Sequence, residues 1–151
     1  MNMPEGVRIL LVGDIALGGD FARRYMRNGS NPAKPFAGVR TLFSAGDVKI
    51  GNLESPIASG SSPQKKRNRL SAPEQAVGVL SALGFSALSL ANNHICDQGL
   101  SGLTKTRALL KTHGIKRFGA GPDLTTAHQP AFVRHKDRVI ACMGYACQVV
   151  T

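Results

Sequence analysis

Apolar positions along the chain follow two spacings, one typical of strands and one typical of helices. Three segments rich in apolar residues, at 7–12, 47–54 and 86–91, predict strands. The first is nearly continuous, as expected of a strand that is buried on both faces of a parallel sheet. Residues 76–83 and 100–110 instead carry apolar side chains at helical spacing. Because strand and helix alternate, we expect an α/β fold with a mostly parallel sheet and flanking helices.

Two local signals complete this pattern. A polar pair at residues 136–137 separates two apolar segments and predicts a β-hairpin near the end of the chain. Ser71 and Glu74 stand at the spacing of a capping box, in which a hydroxyl and a carboxylate bind the free amide groups of a first helical turn. We therefore expect the first long helix to begin there.

Each of the three predicted strands ends in side chains that bind metals or carry protons. The first ends at Asp14, the second at Glu54 and the third at Asn92-Asn93-His94. Because the carboxyl ends of parallel strands share one edge of the sheet, we expect Asp14, Glu54 and His94 to meet in one pocket. Carboxylate and amide oxygens suit Mg²⁺ and Mn²⁺, and imidazole suits Mn²⁺, Fe²⁺ or Zn²⁺. Such a cation could acidify a water molecule while an imidazole protonates a leaving group.

A simpler interpretation exists for each of these motifs. Asn92-Asn93 could form a turn in which the amides bind their own backbone. Gly13-Asp14 could be an ordinary turn, and Glu54 could be a solvated loop acid. The sequence leaves these alternatives open.

Charge and composition narrow the class of partner. At 151 residues the chain fits one domain. Its formal net charge of +10 attracts anions such as an acidic polymer or a phosphorylated substrate. With no Trp and only two Tyr, it offers little for stacking on bases, so we do not expect a nucleic-acid partner. The basic residues Lys65, Lys66 and Arg67 could steer a polyanion toward the strand ends, or they could form a solvated loop.

The sequence also bears on the compartment. The longest apolar run, residues 139–143, is far too short to cross a bilayer. We identify neither a signal peptide nor a membrane anchor. Three cysteines without paired metal spacing predict reduced thiols and a cytoplasmic setting.

Several motifs resemble the poly-γ-glutamate capsule-biosynthesis protein family of the CapA type, in the same order along the chain. They are Gly13-Asp14, Gly46-Asp47, Asn52-Leu53-Glu54-Ser55-Pro56 and Leu90-Ala91-Asn92-Asn93-His94. The last two are the most specific, and the resemblance covers nearly the whole chain. That family is similar to the calcineurin-like metallophosphoesterases. The resemblance therefore implies an α/β/β/α sandwich with a dinuclear metal site between its two sheets.

The resemblance also implies roles for individual residues. The metal ligands would be Asp14, Glu54 and Asn93, His94 would be the catalytic acid, and supporting or alternative ligands would be Asn52, Asn92 and Asp97. Two positions depart from the phosphoesterase pattern, because Ile15-Ala16 follows Asp14 where Asp-x-His is usual and Glu54 replaces an Asp. The remaining histidines (His113, His128 and His135) are expected at the surface.

The function implied is a metal-dependent phosphoesterase-like hydrolase associated with poly-γ-glutamate capsule biosynthesis. The alternative is a non-catalytic factor that binds or assembles a polyanion. The resemblance implies a longer chain with further His ligands, so we expect residues 1–151 to form the N-terminal half of the domain, truncated at its C-terminus. Half a site would bind metal weakly, and we expect the fragment alone to be inactive. An uncovered sheet edge would also favour a homodimer. For localisation, the resemblance implies an alternative to the cytoplasm, because family members are often membrane-associated or exposed at the cell surface.

Overall fold

A computed structural model describes residues 6–26, 31, 33–58 and 69–147 of the chain. It contains a four-stranded parallel sheet, a separate antiparallel hairpin and flanking helices, as the sequence predicts. The strands are β1 (Ile9–Ile15), β2 (Val48–Leu53), β3 (Ala87–Ser89), β4 (Lys116–Phe118), β5 (Ala131–His135) and β6 (Arg138–Cys142). The helices are α1 (Gly19–Tyr25), α2 (Arg40–Ala45), α3 (Ala76–Ala82), α4 (Gly99–Thr112) and α5 (Leu124–His128), with a 3₁₀ helix at Lys34–Val39.

The order of the parallel strands along the chain is also their order across the sheet, β1-β2-β3-β4. Crossovers between parallel strands are right-handed, so crossovers that all step in one direction place their helices on the same face. The main core lies on that face, where Leu80 of α3, Leu88 of β3 and Leu110 of α4 are fully buried. The sheet is therefore covered by helices on one side only.

The hairpin β5–β6 covers part of the opposite face. Its register pairs Ala131 with Cys142, and its turn places Lys136 at a φ of 52°. A second core cluster joins the hairpin to the sheet through Val48, Ala87, Phe118, Ala131, Val133 and Cys142. The predicted hairpin is confirmed.

Strand β1 lies at the edge of the sheet, and the prediction that it is buried on both faces is wrong. Ile9 is 45% exposed and Leu11 is 72% exposed. Their register partners in β2 are Val48 and Ile50, which belong to the cluster on the hairpin side. The hairpin does not cover β1, so this apolar strip faces outward although its sequence is that of a buried strand.

Close backbone packing fixes the carboxyl end of β3. Gly119, at a φ of 87°, lies so close to Ala91 that an added Cβ would come within 2.7 Å of the Ala91 Cβ. An added Cβ on Gly144 would lie 3.2 Å from the same atom. Only glycine fits such positions without displacing the neighbour. The segment that leads from β3 to His94 is therefore packed closely against Gly119 and Gly144 at Ala91.

The predicted capping box is wrong. Helix α3 begins at Ala76 with Gln75 as its N-cap, and no side chain caps it. Ala72 instead forms a parallel β-bridge with Ile57, and Glu74 pairs with Lys105 of α4. The segment before α3 is extended because it joins the loop that follows β2.

No helix within the described ranges could cross a bilayer. The longest of these, α4, has 14 residues, whereas a spanning helix needs about 20.

Candidate functional site

The polar residues predicted at the strand ends lie together at the carboxyl edge of β1, β2 and β3. Asp14 is in β1 and Asn52 in β2, at paired register positions, after an irregularity between Leu11 and Asp14 shifts the register of β1. Glu54 directly follows β2, and its backbone N–H donates to the Ile15 carbonyl. The parallel sheet thus brings together residues that are far apart in sequence.

A chain of amide hydrogen bonds crosses this edge. Asn52 Nδ2 donates to Asp14 Oδ1 at 2.7 Å, and Asn92 Nδ2 donates to Asn52 Oδ1 at 3.0 Å. Asn92 Nδ2 also donates to the Leu53 carbonyl at 3.0 Å. These hydrogen bonds link the Asp14 carboxylate in β1, through Asn52 in β2, to Asn92 in the loop after β3.

Asn92 also shapes the turn that presents His94. Its Oδ1 accepts hydrogen bonds from the backbone N–H groups of His94, at 3.0 Å, and Ile95, at 2.9 Å. The simpler interpretation of the motif, an Asn that binds its own backbone, is confirmed for this residue. The same side chain holds the turn with its oxygen and the neighbouring strand with its nitrogen.

His94 is oriented by Asp97. His94 Nδ1 lies 2.7 Å from Asp97 Oδ2, and the backbone N–H of Leu70 donates to the same oxygen at 2.8 Å. An ionised carboxylate can only accept, so in a hydrogen bond between the two groups His94 Nδ1–H is the donor. This tautomer leaves the lone pair of the neutral ring on Nε2. Asp97 is only 3% exposed, so the contact is shielded from water.

The other ring nitrogen of His94 faces Glu54. His94 Nε2 lies 3.9 Å from Glu54 Oε1, and both side chains are partly accessible. The imidazole thus lies between a buried carboxylate on one side and an accessible carboxylate on the other. Such an arrangement can hold a proton at Nε2 or share a cation between Nε2 and Glu54.

The remaining predicted site residues are Asn93 and the three basic residues. Asn93 lies at the surface. Lys65, Lys66 and Arg67 lie outside the described residues. Within the described part of the chain, no group of three or more His, Cys, Asp or Glu side chains is arranged to hold a metal ion. The metal, the ligand roles of Asp14, Glu54 and Asn93, and the catalytic role of His94 stay predictions.

Two buried hydroxyl groups support the site and were not predicted. Ser55 Oγ accepts from the Leu17 N–H at 3.1 Å, and Thr106 Oγ1 accepts from the Ile57 N–H at 2.9 Å. Thr106 Oγ1 donates in turn to the Gly102 carbonyl at 2.8 Å. These bonds attach the loop after Glu54 to the segment that follows β1 and to α4. A polar residue between Leu103 and Leu110 on the apolar face of a helix was the signal that could have revealed Thr106.

Known proteins match this chain over most of its length. Residues 8–150 match the family described as bacterial capsule synthesis protein PGA_cap. A probable polyglutamine synthesis accessory protein of Mycobacterium tuberculosis is 34% identical over 171 residues, which cover 91% of this chain and 45% of that protein. The capsule biosynthesis protein CapA of Bacillus anthracis is 28% identical over 145 residues, which cover 93% of this chain and 35% of that protein.

The chain spans only part of its relatives. An uncharacterised protein of Sinorhizobium fredii, 32% identical over 128 residues, is matched over 26% of its length. The matched share is below half in the Mycobacterium and Bacillus relatives as well. The family match nevertheless extends from β1 to beyond β6 and includes every strand that forms the site. The chain belongs to the bacterial capsule synthesis protein family.

Proposed function

We propose that this chain is part of a metal-dependent hydrolase of the phosphoesterase type that acts in the biosynthesis of poly-γ-glutamate or a related capsule polymer. The observation that carries the proposal is the contact between His94 Nδ1 and the buried Asp97 carboxylate, which directs Nε2 toward Glu54. The names of the relatives from Bacillus anthracis and Mycobacterium tuberculosis support the biological process.

The residues at the strand ends fit a divalent cation such as Mn²⁺, Mg²⁺, Fe²⁺ or Zn²⁺ in their chemistry. Asp14 and Glu54 would supply carboxylate oxygens and Asn93 an amide oxygen, whereas His94 stays outside the ligand set as the acid. The cation would supply an acidified water as nucleophile. This donor set is partial, so further ligands would come from outside these residues.

His94 would protonate the leaving group. In this role His94 presents Nε2–H toward the site, while the buried Asp97 accepts from Nδ1–H and fixes the orientation of the ring. Asn92 positions His94 through the backbone of the turn, and Asn52 positions Asp14. Within this proposal Asn52, Asn92 and Asp97 act through the groups that they orient.

Metal binding is the primary test. Since the chain spans less than half the length of these relatives, we expect the chain alone to be inactive, and turnover is therefore measured on the full-length product. Titration with Mn²⁺, followed by electron paramagnetic resonance, should show weak binding that is lost in Asp14→Ala. The exposed acid of α1 provides a matched control, Asp20→Ala, which should bind like the wild type.

Turnover gives a second test. Hydrolysis of phenyl phosphate with Mn²⁺ should be lost in His94→Ala and retained in His113→Ala, which removes an exposed histidine at the end of α4. Activity that is the same in both variants, or metal binding that Asp14→Ala leaves unchanged, would refute the hydrolase proposal.

A second candidate is a non-catalytic factor that binds the acidic polymer. The net charge of +10 favours it, because a basic surface concentrates polyanions. It predicts that poly-γ-glutamate binds without metal, that binding weakens with added salt, and that Lys65, Lys66 and Arg67 contribute when replaced together by Ala. The compartment stays a prediction: the cytoplasm from the sequence, or the cell surface from the family resemblance.

A further inference from the structure

An apolar cavity of about 340 Å³ lies on the helical side of the sheet, next to Asp14. Its walls come from β1, α1, the 3₁₀ helix, α2 and α3, together with Phe85 just before β3. Phe21 and Phe36 pack against one another with ring centroids 5.6 Å apart, and Phe43 and Phe85 lie 5.5 Å apart edge to face. Paired rings from different elements thus form its walls.

Asp14 is the one charged residue among the described residues that line this cavity. The same carboxylate accepts the hydrogen bond from Asn52 that begins the polar network leading to His94. Asp14 therefore borders both the apolar cavity and the polar site. A molecule with a polar reacting group and an adjacent apolar substituent could occupy the two together.

The size of the cavity limits what it can hold. Small-molecule sites begin at about 300 Å³, and a cavity of about 150 Å³ already accepts benzene. Space for one aromatic ring with a few further atoms is therefore available. A segment of poly-γ-glutamate does not suit it, since each residue would bring a carboxylate into an apolar environment at high cost.

We propose that the cavity beside Asp14 is the subsite for an apolar substituent, of the size of one aromatic ring, on the phosphoryl compound that the polar site binds. The inference rests on the proposed function for the phosphoryl part. The apolar part rests on the cavity and its lining alone. The acidic polymer itself would bind outside this cavity.

Toluene is the probe, because it fills the apolar subsite without metal or turnover. In methyl-labelled protein, toluene should shift the resonances of Ile15, Val79 and Leu83, which line the cavity, and leave those of Val139 and Ile140 in the hairpin unchanged. Ala16 lines the cavity and is exposed, so Ala16→Phe should fill it without loss of folding. We expect toluene binding roughly tenfold weaker in this variant.

The matched control is Ala108→Phe, on the exposed surface of α4, which should bind toluene like the wild type. Val39→Trp provides a second filling variant, at a partly exposed position on another wall. If toluene shifts no lining methyl group in the wild type, or binds to both filling variants as tightly as to the wild type, the cavity is only a packing gap and the inference is wrong.

Substrate comparison separates this inference from the proposed function. Toluene binding without Mn²⁺-dependent turnover of phenyl phosphate would retain the subsite and refute the hydrolase. Equal turnover of phenyl and methyl phosphate, without toluene binding, would retain the hydrolase and refute the subsite. Both proposals together predict a preference for phenyl phosphate that Ala16→Phe removes and Ala108→Phe keeps.

Discussion

Asp97 Oδ2 lies 2.7 Å from His94 Nδ1. Asp97 is almost completely buried and belongs to the turn that leads into α4. The same carboxylate oxygen accepts from the Leu70 N–H, so it joins the turn after β3 to the extended segment before α3. Gln98 adds a second link, since its Nε2 donates to the Leu70 carbonyl at 3.2 Å. The orientation of His94 therefore depends on the position of the segment that contains Leu70.

Replacing Asp97 should destabilise the protein. Asp97→Ala leaves the Leu70 N–H without its acceptor, and we expect the free energy of unfolding to fall by about 1–3 kcal/mol. Asp97→Asn keeps an oxygen in place and should cost less. Urea denaturation measures both, with Asp137→Ala in the exposed hairpin turn as the control. Equal stability of wild type and Asp97→Ala would contradict the structure.

Asn92→Ala should destabilise the protein because it removes four hydrogen bonds at once. The side chain joins Asn52, Leu53, His94 and Ile95 through two donated and two accepted bonds. With a net value of about 1 kcal/mol for a typical bond, we expect a loss of about 2–4 kcal/mol. Asn31→Ala, which removes one exposed bond to the Ala33 N–H, should cost much less. Similar midpoints for the two variants in urea would disprove the proposed network.

Thr106→Val tests the attachment of the loop after Glu54. The substitution keeps the shape of the side chain, but it leaves the buried Ile57 N–H without an acceptor. We expect a loss of about 1–3 kcal/mol in the free energy of unfolding. Thr104→Val, at an exposed position of the same helix, is the matched control and should change it little. The contrary result would be equal stability of the two variants.

The free energy of unfolding should decrease in acid because two carboxylates, those of Asp47 and Asp123, become protonated. The backbone N–H of Arg8, with its guanidinium, holds the pKa of Asp47 below the ordinary value of 3.8. The Thr126 N–H does the same for the pKa of Asp123, which caps α5. Since the folded form binds protons more weakly than the unfolded form, this stabilisation is complete above 3.8 and is lost as the pH falls through the lowered values.

Chemical denaturation at a series of pH values measures this loss. The double variant Asp47→Asn with Asp123→Asn keeps the acceptor oxygens but no longer titrates at these sites. Its stability should therefore fall less steeply below pH 3.8 than that of the wild type. Parallel curves for the two proteins would show that these carboxylates do not contribute.

The outward face of β1 should associate with a second copy of the chain. Ile9 and Leu11 form an apolar strip on β1, and no strand in the described part of the chain pairs with its outer edge, which favours pairing between chains. Size-exclusion chromatography with light scattering should show a dimer that forms with rising concentration, and Leu11→Glu should abolish it. Leu100→Glu, at a similarly exposed position on α4, is the control. A wild type that stays monomeric at all concentrations would refute the homodimer.

The location of the candidate site could be predicted because polar residues occur at the end of each of the first three strands. Asp14, Glu54 and His94 were expected to meet because parallel strands share their carboxyl ends. In the structure Glu54 and His94 lie 3.9 Å apart, and Asp14 is linked to the turn of His94 through Asn52 and Asn92. Burial of β1 could not be predicted, since an apolar run is equally compatible with a covered strand and with an edge strand that nothing covers. The turn formed by Asn92 was one of two open interpretations. In the structure its amide oxygen binds the turn and its amide nitrogen binds the neighbouring strand.

The position of β3 between β2 and β4, with core clusters on both faces, has a consequence for hydrogen exchange. Amides such as that of Leu88 are bonded within the sheet and fully buried, so they should exchange with deuterium only when the whole domain unfolds. Amides at the outer edge of β1 should exchange through small local openings. The turn after β3 that carries His94 is therefore anchored to a strand whose amides should exchange slowly, whereas Asp14 lies in a strand whose outer amides should exchange faster.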